Sequence, residues 1–369
     1  MKKLLAIMLT LMLLTGLVPF AGMAESKPLT VVTTIFPIYD WTRQIIGENE
    51  NTNLVLLLDN GVDLHSYQPS AQDIMTISTA DLFIYVGGES DEWVEDVLES
   101  AMNPDLVSIS LTEAMGEDLK EEEIVEGMQH EHDHDHDHEE GEEHDHDHED
   151  EDHDHDEDHD EDHDHDHEED HDHEEDHDGE HDHDHDHEHE DEYDEHVWLS
   201  LRNARKLTAA IAESLAGIDA VNADAIRENA AAYDAKLQEL DAKYTEAVEN
   251  AAQKTVLFGD RFPFRYMTDD YGLTYYAAFT GCSAESEASF ETIAFLAGKA
   301  DKLNLPAVLT IEGGNHKIAD TVISASAKAD RKVLTMNSMQ SVTADDVKNG
   351  MTYLSIMEEN LNVLKEALN

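Results

Sequence analysis

The chain has 369 residues, with 22 Lys or Arg against 87 Asp or Glu and a formal net charge of −65. That excess of acid argues against nucleic acid and anionic membrane surfaces as partners, and the length suits two domains. One cysteine, Cys282, excludes an intramolecular disulfide.

Residues 1–24 read as a secretory signal. Lys2 and Lys3 precede an apolar stretch from Leu4 to Val18, and Gly22-Met23-Ala24 offers a small-residue cleavage site before Glu25. The stretch is short for a membrane span, and no cysteine follows the cleavage site to carry a lipid. The mature protein is therefore expected to be exported, to a periplasm or the extracellular face of the cell envelope.

Residues 25–129 alternate β-branched runs with helical stretches. Candidate strands are Leu29–Thr34, Asn53–Leu58, Asp81–Val86 and Leu106–Ile109, with a helix at Ala71–Thr79. The alternation predicts a parallel sheet covered on both faces, the first of two α/β lobes.

Residues 130–190 hold nothing but 22 His, 37 Asp or Glu, Gly141 and Gly179. With no apolar side chain the tract cannot offset the entropy of ordering itself, so it reads as a disordered loop. A solvated acidic run is the usual reading of such charge, but it leaves the histidines unexplained. Imidazole and carboxylate together suit borderline divalent metals. Without the tract the chain carries 22 basic and 50 acidic residues, still a net −28.

Residues 191–220 complete the first lobe, and residues 221–252 predict one long linking helix. Ile226, Tyr233, Leu237, Leu240, Tyr244 and Val248 recur at helical spacing with no proline. About 30 residues at 1.5 Å each give roughly 45 Å, enough for a rigid backbone helix joining both lobes. A flexible linker would be rich in Gly, Ser or Pro instead. Residues 253–369 form the second lobe, with candidate strands Thr255–Phe258, Leu273–Ala278, Ala307–Ile311 and Lys332–Met336, and helices Ser289–Leu303 and Ile318–Ala327.

Outside the tract only His65, His196 and His316 remain. His65 and His316 follow strands, where open parallel sheets bind their ligands. His196 stands where the chain leaves the tract and turns helical. The string H-E-x-x-H recurs in the tract, for example at His167–His171 and His173–His177, but its chemistry needs a packed helix that an apolar-free tract does not provide. Phe262-Pro263-Phe264-Arg265-Tyr266 reads as packing, and Cys282 as a buried, inert thiol rather than a soft metal ligand.

Several segments together resemble the cluster A-I substrate-binding proteins of zinc and manganese ABC importers. They are "VVTTIFPIYDWTRQIIG", "DNGVDLHSYQPSAQDI", "ADLFIYVGGESDEWVED", "DEHVWLSLRNA" and the terminal "MTYLSIMEENLNVLKEAL". The resemblance covers almost the whole mature chain, and zinc-specific members carry a His- and acid-rich loop at the same place. It implies two α/β lobes with a metal site in the interlobe cleft and His65 and His196 as ligands. The family's third ligand falls in a segment that reads "FHDAYGYF" in typical zinc members and "FGDRFPFR" here, so Gly259 stands at that position. Its fourth, usually an acid, falls near Asn337. His316 and then Asp260 are the preferred replacements, with Glu312, Glu285 and Glu287 also in reach. An N-lobe site completed by the tract is a further possibility.

The expected function is capture of Zn²⁺, as transported ligand, and delivery to the membrane permease of an ABC importer, by a monomer. Manganese is the alternative cargo, less suited because Mn²⁺ prefers oxygen donors. An exported metal buffer is the alternative role. A metal-dependent hydrolase is disfavoured, because the chain lacks an ordered general base and a transport site leaves no open coordination position.

Overall fold

The computed structural model describes residues 28–49, 51–129 and 193–369. The expected signal sequence and the His- and acid-rich tract lie outside the described residues. The first lobe alternates β1 (Leu29–Thr33), α1 (Phe36–Ile46), β2 (Thr52–Leu56), α2 (Ala71–Ser78), β3 (Leu82–Tyr85), α3 (Trp93–Glu99), β4 (Val107–Ser110) and α4 (Leu111–Met115). Two longer helices follow, α5 (Leu201–Ile218) and α6 (Ala223–Glu249). The second lobe runs β5 (Thr255–Phe262), α7 (Arg265–Tyr271), β6 (Thr274–Thr280), α8 (Phe290–Lys302), β7 (Ala307–Ile311), α9 (Lys317–Ala325), β8 (Lys332–Met336), α10 (Ala344–Lys348) and α11 (Tyr353–Ala367).

The fold is α/β, as the alternation implies. Two four-stranded parallel sheets have the orders β2-β1-β3-β4 and β6-β5-β7-β8. Strands such as LFIY and AVLTI are apolar and almost wholly buried, the pattern of a sheet covered by helices on both faces. In each sheet the order reverses beside the first strand, so neighbouring loops leave on opposite sides and open a crevice at the carboxyl ends.

The strand expected at Thr255–Phe258 continues to Phe262, and its register against β6 shifts between Phe258 and Arg261. Such an irregularity bends a strand and re-aims side chains. It is hard to foresee from "GDRF", where Gly and Asp read as a strand's end.

The buried residues of α6 are Ile226, Tyr233, Leu237, Leu240, Tyr244 and Val248, the set its spacing picks out. Near one end, Asn229 Nδ2 donates to Ile45 O of α1 at 3.1 Å. Further along, the Tyr244 hydroxyl donates to Met357 O of α11 at 2.6 Å, and Asp241 accepts from Tyr271 of α7 at 2.9 Å. One helix thus packs on both lobes. The lobes also meet directly. The Tyr353 amide donates to Asp40 Oδ2 at 2.8 Å and its hydroxyl to Trp198 O at 2.7 Å. A single apolar cluster runs through both lobes and α6, and a smaller one lies around Leu296 and Val322.

Leu237 is fully buried on α6. Leu237→Ala is expected to cost about 2–5 kcal/mol in denaturant unfolding. Truncating the exposed Glu239 on the same helix should stay within roughly 0.5 kcal/mol.

Candidate metal centre

His65 sits in the turn after β2. Asp63 caps that turn, its Oδ1 accepting from the His65 amide at 3.0 Å. The other oxygen, Oδ2, accepts from Arg261 Nη2 of β5 at 2.6 Å, an ion pair between the lobes. Burial opposes ionisation of Asp63, but the charge and hydrogen bond of Arg261 outweigh it and hold the carboxyl below its ordinary value.

His196 is fully buried where the chain re-enters the first lobe. Asp194 Oδ1 lies 2.9 Å from both its amide nitrogen and its ring Nδ1. A carboxylate there fixes the tautomer with the proton on Nδ1 and leaves the Nε2 lone pair free. Asp194 is itself braced: its backbone oxygen accepts from the Tyr266 hydroxyl at 2.9 Å. That hydroxyl in turn accepts from the Lys120 amide at 3.0 Å.

The two imidazoles meet through Nε2, 3.2 Å apart, while His65 Nδ1 lies 2.7 Å from Ser90 Oγ. Asp194 leaves His196 Nε2 as a lone pair, and the Ser90 hydroxyl, which can donate or accept, lets His65 Nε2 face it either as an N–H in a hydrogen bond or as a second lone pair sharing a cation. Tetrahedral zinc with Zn–N bonds of 2.0–2.1 Å sets its nitrogen ligands about 3.3 Å apart. The observed separation fits that requirement.

Cys282 completes the group. Its sulfur and the two imidazole nitrogens all lie within 4.8 Å of one another. The cysteine follows β6, and its amide donates to Glu122 Oε1 at 3.2 Å. Gly281 permits this approach, because a Cβ there would lie 2.9 Å from His196 Cε1. Burial, then the charges of Asp194 and Glu122, push the thiol well above its ordinary value. Its placement sets Cys282 beside the two imidazoles. The only sequence signal was a Gly-Cys pair just past a strand.

Buried Glu195 and half-buried Glu122 add carboxyls, both raised chiefly by burial. Glu195 Oε1 accepts from the Ser90 amide at 2.9 Å. Its Oε2 is buried, has no hydrogen-bond partner and lies 3.8 Å from His65 Nδ1.

His316 and Asp260 line a cavity of about 610 Å³ together with His65 and Arg261, but they do not join the close donor group. Both Asp260 oxygens are engaged by backbone, with Arg261 N at 2.9 Å and Ile311 N at 3.2 Å. His316 caps α9 in the left-handed region at φ 54°, and its Nδ1 is buried without a partner. Glu312 is taken up by Ser338 and Gln340, Glu285 accepts from Gln129, and Glu287 is exposed. At Gly259 a Cβ would lie 2.6 Å from Ala319 Cα, so the packing of α9 excludes a side chain there. Asn337 turns its Oδ1 back to the Met339 amide at 2.7 Å.

Residues 31–367 match the model of a family described as zinc-uptake complex component A, periplasmic. The chain is similar to the zinc-binding lipoprotein AdcA of Streptococcus pneumoniae, at 30% identity over 343 residues, 93% of this chain and 56% of that protein. It therefore spans about half the length of that relative, 56%. It is also similar to the high-affinity zinc uptake system protein ZnuA of Bacillus subtilis, at 27% identity over 349 residues, 94% of this chain and 90% of that one. The solved Zn(II)-bound ZnuA-like domain of S. pneumoniae AdcA superposes with a TM-score of 0.62 at 26% identity, covering 92% of this chain and 98% of that one.

Two outcomes follow from the geometry. Asp194→Asn removes the carboxylate that orients His196 and should weaken zinc binding roughly 10–100-fold in chelator competition. The second concerns acid. Burial first, then the charge of His196, lower the His65 pKa from 6.5 to about 3. Across that window the unfolded chain takes up a proton that the folded ring refuses, so metal-free protein loses stability as pH falls. His65→Asn should make the fall shallower, as read from urea midpoints between about pH 7 and pH 4.

Proposed function

The chain belongs to the family of periplasmic zinc-uptake component A, and from that membership we propose that it captures Zn²⁺ outside the cytoplasm and delivers it to the permease of an ABC importer. The observation that carries this reading is the pair of Nε2 atoms confronted at 3.2 Å beneath the interlobe cleft. The role is binding and transport rather than catalysis. Imidazole donors favour zinc over manganese, which prefers oxygen.

In this reading His65 and His196 hold the ion. His316 stands at the cavity wall, where its unpartnered Nδ1 can receive the ion on its way in, while the backbone-engaged Asp260 adds negative charge beside it. The tract at 130–190 is a low-affinity collector: many tethered weak donors raise the metal concentration near the cleft without forming the tight site. The described chain on either side comes together through the bridge of Glu121 with Tyr193, so residues 130–190 can be excised without separating secondary-structure elements.

The test is zinc titration calorimetry on the full chain, on protein lacking residues 130–190, and on the same deletion with His65→Ala. Deletion should lower the stoichiometry and keep one tight site, and the substitution should abolish it. Loss of all tight binding on deletion would make the protein an exported metal buffer built on a transporter fold.

A further inference from the structure

The family's two C-lobe ligand positions offer nothing here: packing forbids a side chain at Gly259, and Asn337 is folded back on its own loop. The N-lobe half of the site is nevertheless fully assembled. A donor from the second lobe is needed if the ion is to be held across the cleft.

We propose that Cys282 supplies that donor, as a thiolate bound to the same ion as His65 and His196. This rests on the reading of the cleft as a metal site and names the residue that completes it. Three observations converge on the assignment. Among the described residues, Cys282 is the third member of the one group of His, Cys, Asp and Glu donors close enough to share an ion. Gly281, where a Cβ would lie 2.9 Å from His196 Cε1, lets its loop approach His196 so closely. Beside the group, Glu195 is 2% exposed and keeps Oε2 without a hydrogen-bond partner, an uncompensated acceptor that a nearby dication would stabilise.

Zinc bonds of about 2.0–2.1 Å to nitrogen and 2.3 Å to sulfur set N and S about 3.6 Å apart. The donors, all within 4.8 Å, need to draw in by about 1.2 Å at most. On binding, the thiol proton passes to solvent and the sulfur lone pair goes to the metal. Two imidazoles, one thiolate and a water make a four-coordinate set suited to zinc and soft ions and poorly suited to manganese.

Because Cys282 is the only cysteine, cobalt bound by the tract cannot show a thiolate signal. The experiment is Co²⁺ titration of the full chain under reducing, oxygen-free conditions, followed by near-ultraviolet absorption. In parallel, zinc affinity is measured by chelator competition. A sulfur-to-cobalt charge-transfer band is expected in the wild type and absent in Cys282→Ser and His65→Ala. Cys282→Ser should also lower zinc affinity by about 100-fold or more, beyond the roughly 10–100-fold effect of losing a ligand's hydrogen-bond partner. Circular dichroism confirms that the variants fold. A tight, His65-dependent zinc site with no such band overturns the thiolate and leaves the transport reading standing. A band of equal strength in His65→Ala places the sulfur's metal elsewhere and also overturns it. Absence of any His65-dependent tight site removes the reading and the proposal together.

Discussion

Two imidazole nitrogens facing each other across 3.2 Å are the constraint around which this molecule is arranged. His196 offers a lone pair there, and the contact closes either on the N–H of His65 or on a shared cation. The surroundings hold the rings there. Asp194 fixes one, Ser90 the other, and Tyr266 ties Asp194 to the second lobe. Glu195 and Glu122 then place acid nearby, with burial working against their ionisation. A divalent cation joins the two ring nitrogens and adds positive charge beside those carboxyls.

Both sheets contribute because both point their carboxyl ends at the same crevice. His65 follows β2, Ser90 follows β3 and Cys282 follows β6, while Arg261 is carried on the irregular end of β5. The core that joins the lobes runs through α6 and α11, and the Asp63–Arg261 ion pair closes the cleft at its rim. With side chains from both lobes sharing one apolar cluster, large independent movement of either lobe would expose buried surface. Small displacements at the cleft mouth cost far less.

The fold was legible because it depends on local periodicity. The apolar runs gave eight strands within a few residues, and the six buried positions of α6 follow directly from helical spacing. His65 and His196 were legible because few histidines exist outside the tract and each stands in a recognisable segment. The C-lobe half was not. Whether His316 or Cys282 reaches the pair depends on how β5, β6 and α9 pack, and no spacing encodes that. Asp260 looked available beside Gly259, yet two backbone amides claim its oxygens. Cys282 looked inert because a lone cysteine usually is, and only tertiary structure brings it beside His196.

A transport site must also let go. If every ligand came from one lobe, opening the cleft would leave the ion where it was. With the imidazoles on one side and the Cys282 thiolate on the other, as proposed, any separation of the lobes lengthens the metal–sulfur bond before it disturbs the paired nitrogens. Bond strength falls steeply over a few tenths of an ångström, and the remaining two nitrogens bind far more weakly than three ligands plus water. Opening would then convert a tight site into a loose one without unfolding any element. The Asp63–Arg261 pair lies on the same boundary, so the contact that closes the rim and the bond that holds the ion would be lost in the same movement.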